Sequence, residues 1–265
     1  MRKLVAVLGF LILALGGLTA GCGGGKDDKA VYKAVLKDEL VVATEAAFAP
    51  FEFYDEKTGE MIGFDVDLIR AVAREIGYKT CTVKHMDFDA LIPAVNSAKA
   101  DVAISAMTIT EERKRVVLFS QPYYKSGLAF IVKKDITDVK AFEDLKTKTI
   151  AVQKDTTGAV YAEQLKSKGA VIKAFENNDQ VLMELKNGKA DAVVCDLPVL
   201  QYFLTKGGSA YAKLVGKPLT AEEYGIIAGK KKPEMEKAVN KALESLKRNG
   251  TYDKIYDKWF GKGQK

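Results

Sequence analysis

Three charged residues in this 265-residue sequence have the chemistry to bind a small charged molecule. Arg113 offers a planar guanidinium that matches a carboxylate through two parallel hydrogen bonds. Asp196 follows the apolar run AVVC and offers the acid that an ammonium group needs, and Glu45 follows the run LVVAT and offers a second acid. An arginine and two acids around one ligand would complement an α-amino acid with a polar or basic side chain.

Arg113 and Asp196 also have structural explanations. Thr110 is a natural N-cap, so Arg113 falls in the first turn of a predicted helix, where a cation opposes the helix dipole. A surface ion pair with Glu111 or Glu112 explains the arginine as well as an anion site does. Asp196, taken alone, is better explained as the N-cap of the helix predicted to follow it.

Two hydroxyl-rich turns accompany the charged residues. Thr108 lies in the stretch SAMTITEERK with Arg113, where backbone N–H groups at the start of a helix can also bind an anion. The second turn, QKDTTG, begins at Gln153 and contains Thr156 and Thr157. We expect both turns to contribute hydrogen bonds to an anionic group.

Two phenylalanines could enclose an uncharged part of the ligand. Phe48 lies in the loop after the first apolar run, and Phe88 follows a later one. Each aromatic ring can bury about 150–250 Å² against a partner. For either residue alone, a place in the hydrophobic core is at least as good an explanation. Phe51 and Phe53 alternate along the chain and are expected to pack inward.

Strand and helix patterns alternate along the chain in two series. The first series has strands at 40–44, from 81 onward and at 101–104, with helices at 63–76 and 89–95. The second has strands at 149–152, 170–174 and 192–194, with helices at 158–165, 179–185 and 198–204. Two βαβαβ series predict two α/β lobes with mostly parallel sheets and a cleft between them. Since ligands bind beyond the carboxyl ends of such strands, the charged turns should face that cleft.

Composition excludes several other kinds of site. The 41 Lys and Arg residues against 35 Asp and Glu give a net charge of +6, but the excess is spread along the chain and predicts no nucleic-acid groove. His85 is the single histidine, and Cys81 and Cys195 are far apart without metal-ligand spacing. The sequence therefore predicts no metal, no cofactor and no histidine-based catalysis. Two separate buried thiols are favoured, and a disulfide, which an exported chain could form, is the alternative.

The first residues have the pattern of an export signal. Arg2 and Lys3 precede an apolar run at 4–18, which is shorter than the about 20 residues of a membrane-spanning helix. Small residues lead into Cys22, as at the lipidation site of bacterial lipoproteins. We predict a signal peptide at 1–21 and a lipidated tether at 22–38, which places the chain in the periplasm or on the outer face of the membrane. An ordinary signal peptide cleaved nearby is the alternative.

Seven stretches resemble the polar-amino-acid-binding proteins of bacterial ABC importers, in the order that this family has them. They are ATEAAFAPFEF, GFDVDL, MDFDALIPAV, SAMTITEERK, FSQPYYKSGL, DTTG and NGTYDKIYDKWFG. The resemblance runs from about residue 40 to 261 and is greatest to glutamine-binding and arginine/lysine/histidine-binding members. It implies an α/β fold of the type II periplasmic-binding-protein class, with lobe 1 at 39–122 and 225–265, lobe 2 at 128–219, and a two-strand hinge at 123–127 and 220–224.

The resemblance also assigns roles to ten residues. Arg113 matches the arginine that binds the α-carboxylate, helped by Thr108 and by Thr157 or its neighbour Thr156. Asp196 matches the aspartate that binds the α-ammonium, with the Ala106 carbonyl beside it. The remaining four matches are Phe48 and Phe88 for the side-chain sandwich, Glu45 for the ligand's distal nitrogen, and Gln153 for a position that varies with specificity.

Departures from the family pattern bear on the ligand. Glu45 stands where relatives carry aspartate, and Gln153 stands where the glutamine-binding protein has lysine. Cys195 replaces a histidine of that protein, and Ala106 replaces a common glycine. A longer acid and a missing lysine make the site more negative, which favours a cationic ligand.

The sequence therefore predicts a monomeric, non-enzymatic receptor that closes on an L-amino acid and docks on the membrane subunits of an ABC importer. Glutamine, arginine, lysine and histidine are the expected ligands. The lipid anchor would be its contact with the membrane. The alternative is an enzyme on the same fold, a cyclohexadienyl dehydratase acting on arogenate or prephenate, with Glu45 as its acid.

Overall fold

A computed structural model describes residues 25–262, which begin with a helix. The predicted signal peptide and the predicted lipidation site Cys22 lie outside the described residues. The helices are α1 (Gly25–Val35), α2 (Phe64–Ile76), α3 (Leu91–Asn96), α4 (Glu111–Val116), α5 (Thr157–Glu163), α6 (Asn178–Lys186), α7 (Leu197–Thr205), α8 (Pro233–Arg248) and α9 (Thr251–Phe260). The first strands are β1 (Glu39–Thr44), β2 (Ala47–Phe48), β3 (Glu52–Tyr54), β4 (Met61–Ile62), β5 (Thr80–His85), β6 (Val102–Ala103), β7 (Val117–Phe119) and β8 (Tyr124–Ser126). The others are β9 (Leu128–Lys133), β10 (Thr149–Gln153), β11 (Val171–Phe175), β12 (Ala192–Asp196), β13 (Ala212–Val215), β14 (Glu222–Tyr224) and β15 (Ile227–Gly229).

The first lobe is built on a five-stranded sheet in the order β5-β1-β6-β15-β7. Strand β1 pairs in parallel with β5 and β6, whereas β15 runs antiparallel to both β6 and β7. Amphipathic α2 and α8 cover the sheet, and apolar residues three and four positions apart form the buried face of α8. The sheet is therefore mostly parallel, as predicted, and its one reversed strand is β15, which returns from the far end of the chain.

The second lobe repeats this arrangement with a sheet in the order β11-β10-β12-β9-β13. Strand β10 pairs in parallel with β11 and β12, and β9 runs antiparallel to β12 and β13. Helices α5, α6 and α7 pack against these strands. Both sheets thus have three parallel strands, and their carboxyl ends carry Glu45 after β1, Gln153 on β10 and Asp196 on β12.

Two chain crossings connect the lobes. Strands β8 and β14 pair antiparallel and lie within the two segments predicted as the hinge. Gly127 comes so close to the other crossing that a Cβ atom there would stand 2.1 Å from the carbonyl oxygen of Thr220. Glycine is needed at this position because any side chain would force the two crossings apart.

Residues 25–38, the described part of the predicted tether, contain a helix rather than an extended linker. The described part of this segment contains α1, and Val31, Tyr32 and Val35 on this helix pack against the core of the first lobe. The Tyr78 hydroxyl donates to the carbonyl of Val35 at 2.8 Å. The segment from residue 25 to Val35 is helical because these apolar side chains gain more by packing on the lobe than by remaining in water.

Two further features of residues 25–262 concern location and redox chemistry. None of their helices has the length and apolar character needed to cross a membrane. Cys81 is half-buried and Cys195 is buried, and both are free thiols, which confirms the prediction of two separate cysteines.

Candidate ligand-binding cleft

A cavity lies between the two lobes. All ten residues predicted for the site line it, together with two that were not predicted. The twelve are Glu45, Phe48, Glu52, Phe88, Ser105, Ala106, Thr108, Arg113, Gln153, Thr156, Thr157 and Asp196. The first eight come from the first lobe and the last four from the second. A ligand here would therefore touch both lobes.

Arg113 reaches across the cleft. Thr110 caps α4 by accepting the Arg113 backbone N–H at 3.1 Å, as predicted. The guanidinium donates to the Thr108 carbonyl at 3.0 Å and to the Asp155 carbonyl of the second lobe at 2.9 Å. Glu111 pairs with Lys114 instead, and no acid among residues 30–262 forms an ion pair with Arg113. The surface-pair explanation of Arg113 is thus wrong, and its charge is available to a ligand carboxylate.

Asp196 does not act as a helix cap, although it holds the N-cap position of α7. Its carboxylate accepts from the Ser126 hydroxyl at 3.2 Å, and Ser126 in turn accepts from the Tyr224 hydroxyl at 2.8 Å. Burial raises the pKa of Asp196 to about 7, with a further contribution from the nearby charge of Glu222. A cation placed beside this buried acid would favour its charged form.

The threonines of the second turn have different roles. The Thr156 hydroxyl caps α5 by accepting the Ala159 N–H at 3.1 Å and donates to the Gln153 carbonyl at 2.7 Å. Its single proton is therefore in use. The Thr157 hydroxyl instead donates to Glu222 of the hinge at 3.1 Å. The two alternatives left open by the sequence thus differ in the acceptor of the hydroxyl proton, which is a backbone carbonyl for Thr156 and the Glu222 side chain for Thr157.

Glu45 is a buried acid with few partners. One carboxylate oxygen lies 3.4 Å from the Gln153 amide nitrogen, and the other has no hydrogen-bond partner. Burial raises the pKa of Glu45 to about 7, the Gln153 hydrogen bond opposes the rise, and Asp179 and Asp87 add to it. An incoming donor with a positive charge would satisfy the free oxygen and favour the carboxylate.

A second pair of acids lies beneath the cavity floor. Asp65 accepts the Ala106 N–H at 2.8 Å and the Tyr123 hydroxyl at 2.6 Å, and Glu52 accepts the Ser105 hydroxyl at 3.2 Å. Both acids are fully buried, and each has one oxygen without a hydrogen-bond partner. Burial raises the pKa of Asp65 to about 6 and that of Glu52 well above its ordinary value. The Asp65 bond holds the backbone N–H of Ala106, whose φ of 43° is unusual for a non-glycine residue.

The two predicted rings both line the cavity. Phe48 is 8% exposed and its ring lies 6.3 Å from that of Phe51, which is fully buried as predicted. Phe88 is half-buried, and the Arg113 guanidinium lies 5.3 Å from the centre of its ring. The Phe88 ring therefore packs on the arginine as well as facing the cavity.

Direct contacts hold the lobes together around the cavity. Lys154 of the second lobe forms an ion pair with Asp89 of the first at 3.2 Å. The Phe53 and Tyr202 rings meet across the cleft with centroids 5.9 Å apart. With the bond between Arg113 and Asp155, these contacts describe a closed conformation.

The fold and the cavity define a two-lobed binding protein of the type II periplasmic-binding-protein class. The family model for bacterial extracellular solute-binding proteins, family 3, matches residues 40–262. The chain belongs to this family, whose members bind solutes outside the cytoplasm, and it is a solute-binding protein rather than an enzyme.

Three comparisons illustrate the relationship. The arginine-binding periplasmic protein of Mannheimia haemolytica is 39% identical over 83% of this chain and 91% of its own length. An ancestral arginine-binding protein solved with arginine is 46% identical over 85% of this chain and 99% of its own, with a TM-score of 0.81. An ancestral amino-acid-binding protein described as a precursor of cyclohexadienyl dehydratase is 39% identical, covers 88% of this chain and 99% of its own, and has a TM-score of 0.78.

The sequence analysis missed two residues that line the cavity, and Glu222, which bonds two of the lining residues. Ser105 lies inside the quoted stretch SAMTITEERK, and Glu52 lies inside ATEAAFAPFEF, so motif position could have indicated both. Glu222 lies on hinge strand β14, in a segment without a turn or strand-end signal. Its partners Thr108 and Thr157 are 114 and 65 residues away, so only the folded chain brings them together.

Proposed function

We propose that this protein captures a basic L-amino acid, with L-arginine the foremost candidate, and delivers it to an ABC importer. The observation that carries the proposal is the buried Glu45 carboxylate, which has one oxygen without a partner and a second bonded only at 3.4 Å. A guanidinium or ammonium group supplies the donors and the charge that this acid lacks. A glutamine amide would supply donors but no charge.

The zwitterionic part of the ligand would span the two lobes. We assign the α-carboxylate to Arg113, Thr108 and Thr157, and the α-ammonium to Asp196 and the Ala106 carbonyl. Since Arg113 belongs to the first lobe and Asp196 to the second, a bound amino acid satisfies both charges only when the lobes are closed. Binding would thus shift the population toward the closed form, through bending at 123–127 and 220–224.

The side chain of the ligand would extend between the rings of Phe48 and Phe88 toward Glu45 and Gln153. The aliphatic part of an extended basic side chain can pack on both ring faces, and its terminal cation can pair with the Glu45 carboxylate. An acidic ligand side chain would face Glu45 without a cation to offset it, since Gln153 stands where lysine is found in the glutamine-binding protein.

Calorimetry with a panel of L-amino acids tests the proposal. We expect arginine to bind most tightly, with lysine, histidine and glutamine weaker, and aspartate and leucine at or below detection. The ancestral relative is known with both arginine and glutamine bound, so glutamine is the competitor to include. Aspartate or leucine as the tightest ligand would overturn the assignment of Glu45.

The dehydratase alternative has less support. Such an enzyme needs a proton donor at the leaving hydroxyl, and Glu45 with a pKa of about 7 could provide one. Arg113 and Asp196 together, however, complement the charged groups of a free amino acid. We expect no phenylalanine to form when the protein is incubated with arogenate, and its formation would favour the enzyme.

We further propose that Cys22 carries a lipid that holds the protein at the outer face of the membrane, and that it acts as a monomer. The support is the apolar run at 4–18 followed by small residues before Cys22. Metabolic labelling with a fatty acid should mark the wild-type protein and not Cys22→Ala. Equal labelling of both would refute the anchor, without affecting the ligand assignment.

A further inference from the structure

Glu222 is a hinge residue whose carboxylate contacts both lobes at the cavity. One oxygen, Oε2, accepts from the Thr108 hydroxyl of the first lobe at 2.6 Å and from the Thr157 hydroxyl of the second at 3.1 Å. The other, Oε1, accepts from the Thr220 hydroxyl at 3.3 Å. A single acid on β14 thus joins the lobes directly where they approach each other.

The two hydroxyls that contact Glu222 both line the ligand cavity. A threonine hydroxyl has one proton to donate. While Thr108 and Thr157 donate to Glu222, neither can donate to a carboxylate in the cavity. To accept hydrogen bonds from these two hydroxyls, a ligand carboxylate must therefore replace Glu222 as their acceptor.

The negative charge of Glu222 also weakens binding of the ligand carboxylate. It is the foremost charge that stabilises the Arg113 guanidinium, and it also acts on Asp196. A ligand carboxylate approaching Arg113 therefore meets a second negative charge near the same cation. Removing that charge would lower the cost of bringing the ligand carboxylate to Arg113.

We propose that Glu222 is an affinity-setting residue that competes with the ligand α-carboxylate for the hydroxyls of Thr108 and Thr157, and that joins the two lobes when the cavity is empty. This inference rests on the proposed function for the orientation of the ligand. Glu222 is partly exposed, so water can solvate its carboxylate when the hydroxyls turn to the ligand. The competition weakens binding without preventing it.

The test compares two probes, L-arginine and L-argininamide, which differ only in the carboxylate. Calorimetry gives the ratio of the two dissociation constants, argininamide over arginine, for wild type and for Glu222→Gln. Any effect of Glu222 on the ammonium or guanidinium group is common to both probes and cancels in the ratio. We expect the ratio to rise about fivefold in Glu222→Gln, the net effect of one typical hydrogen bond.

Glu223→Gln is the matched control. Glu223 is the next residue of the same strand, its side chain is exposed, and its substitution removes the same charge. Its ratio should equal that of wild type. A ratio that is unchanged or lower in Glu222→Gln would overturn the proposal. Should that variant fail to fold, as judged by circular dichroism, Glu222→Asp draws the carboxylate back from the hydroxyls and is expected to raise the ratio as well.

A second measurement does not depend on the ligand. Small-angle scattering of the protein without ligand should give a larger radius of gyration for Glu222→Gln than for wild type and Glu223→Gln, because the bridge between lobes is lost. If wild type binds glutamine and not arginine, the ligand assignment fails, and glutamine with glutaminamide tests Glu222 in the same way. If both the ratio and the radius of gyration are unchanged in Glu222→Gln, the inference about Glu222 is refuted and the proposed function is unaffected.

Discussion

The amide nitrogen of Gln153 lies 3.4 Å from the Glu45 carboxylate, so two residues 108 positions apart meet across the cleft. The contact is long for a hydrogen bond, and the other Glu45 oxygen has no partner. Burial raises the pKa of Glu45 to about 7, so this acid titrates in the neutral pH range. The protonation of Glu45 is therefore coupled to what occupies the cavity.

Affinity for arginine should fall as the pH is lowered from 8 to 5. A cationic side chain favours the charged form of Glu45, so binding below the pKa of about 7 must release a proton. Each released proton lowers affinity by up to about tenfold per pH unit in that range. Calorimetry in buffers of different ionisation enthalpy measures the proton release directly. Glu45→Gln should bind more weakly at pH 8 and show a flatter pH profile; an unchanged profile would contradict the role of Glu45.

Arg113→Ala should lower amino-acid affinity more than tenfold, since it leaves the ligand carboxylate and the cavity N–H groups without their charged partner. Arg115→Ala is the matched control, because Arg115 is an exposed residue of the same helix. Calorimetry at one pH and salt concentration compares the two variants. Similar affinities for both would remove Arg113 from the binding site.

Asp196→Asn should also lower affinity more than tenfold. The substitution keeps the shape of the side chain but removes the charge that faces the ligand ammonium. Asp135→Asn, an exposed change in the same lobe, controls for net charge and should bind like wild type. Equilibrium dialysis with labelled arginine measures both. Wild-type binding by Asp196→Asn would show that the ammonium lies elsewhere.

The unliganded protein should lose stability as the pH rises from about 4 to about 7, relative to a variant without these acids. Burial raises the pKa of both Glu45 and Asp196 to about 7, above the values they have in the unfolded chain. Their neutral forms thus favour folding below the unfolded pKa, and this contribution is lost as the pH passes the folded pKa. Melting curves of wild type and Glu45→Gln should converge at acidic pH and diverge in favour of the variant near pH 8. A constant difference across this range would argue against a raised pKa.

Gly127→Ala should destabilise the hinge, because the added Cβ would stand 2.1 Å from the Thr220 carbonyl oxygen. Either the two crossings move apart or the fold loses stability. Gly188→Ala is the control: its φ of 70° carries the usual backbone cost, but no atom lies within 4 Å of the added carbon. Differential scanning calorimetry should give a lower melting temperature for Gly127→Ala, and equal temperatures would refute the close approach.

Much of the site could be predicted because its residues follow strand ends. Glu45 comes after β1, Gln153 ends β10, and Asp196 ends β12, so sheet geometry alone brings them to the cleft. Arg113 could be recognised by its misfit with the dipole of α4. Glu222 could not, because it lies on a hinge strand and meets its partners only through pairings between distant segments.

In the fold, too, local features could be predicted and pairings between distant segments could not. The sequence pattern indicated α2 to within one residue of its observed bounds, since amphipathic spacing is a local signal. It did not indicate that β15 lies between β6 and β7, because strand order depends on which distant segments pair. Helix α1 was also missed, since its first half is glycine and charged residues and its apolar face is limited to the second half.

The position of β15 has a consequence for how the chain folds. The second lobe is one continuous stretch, whereas the first-lobe sheet is complete only when Ile227–Gly229 inserts between strands formed more than a hundred residues earlier. A chain leaving a membrane channel from its N-terminus would thus form the second lobe while β6 and β7 still have open edges. Such long-range insertion is slow and leaves strand edges exposed to other chains.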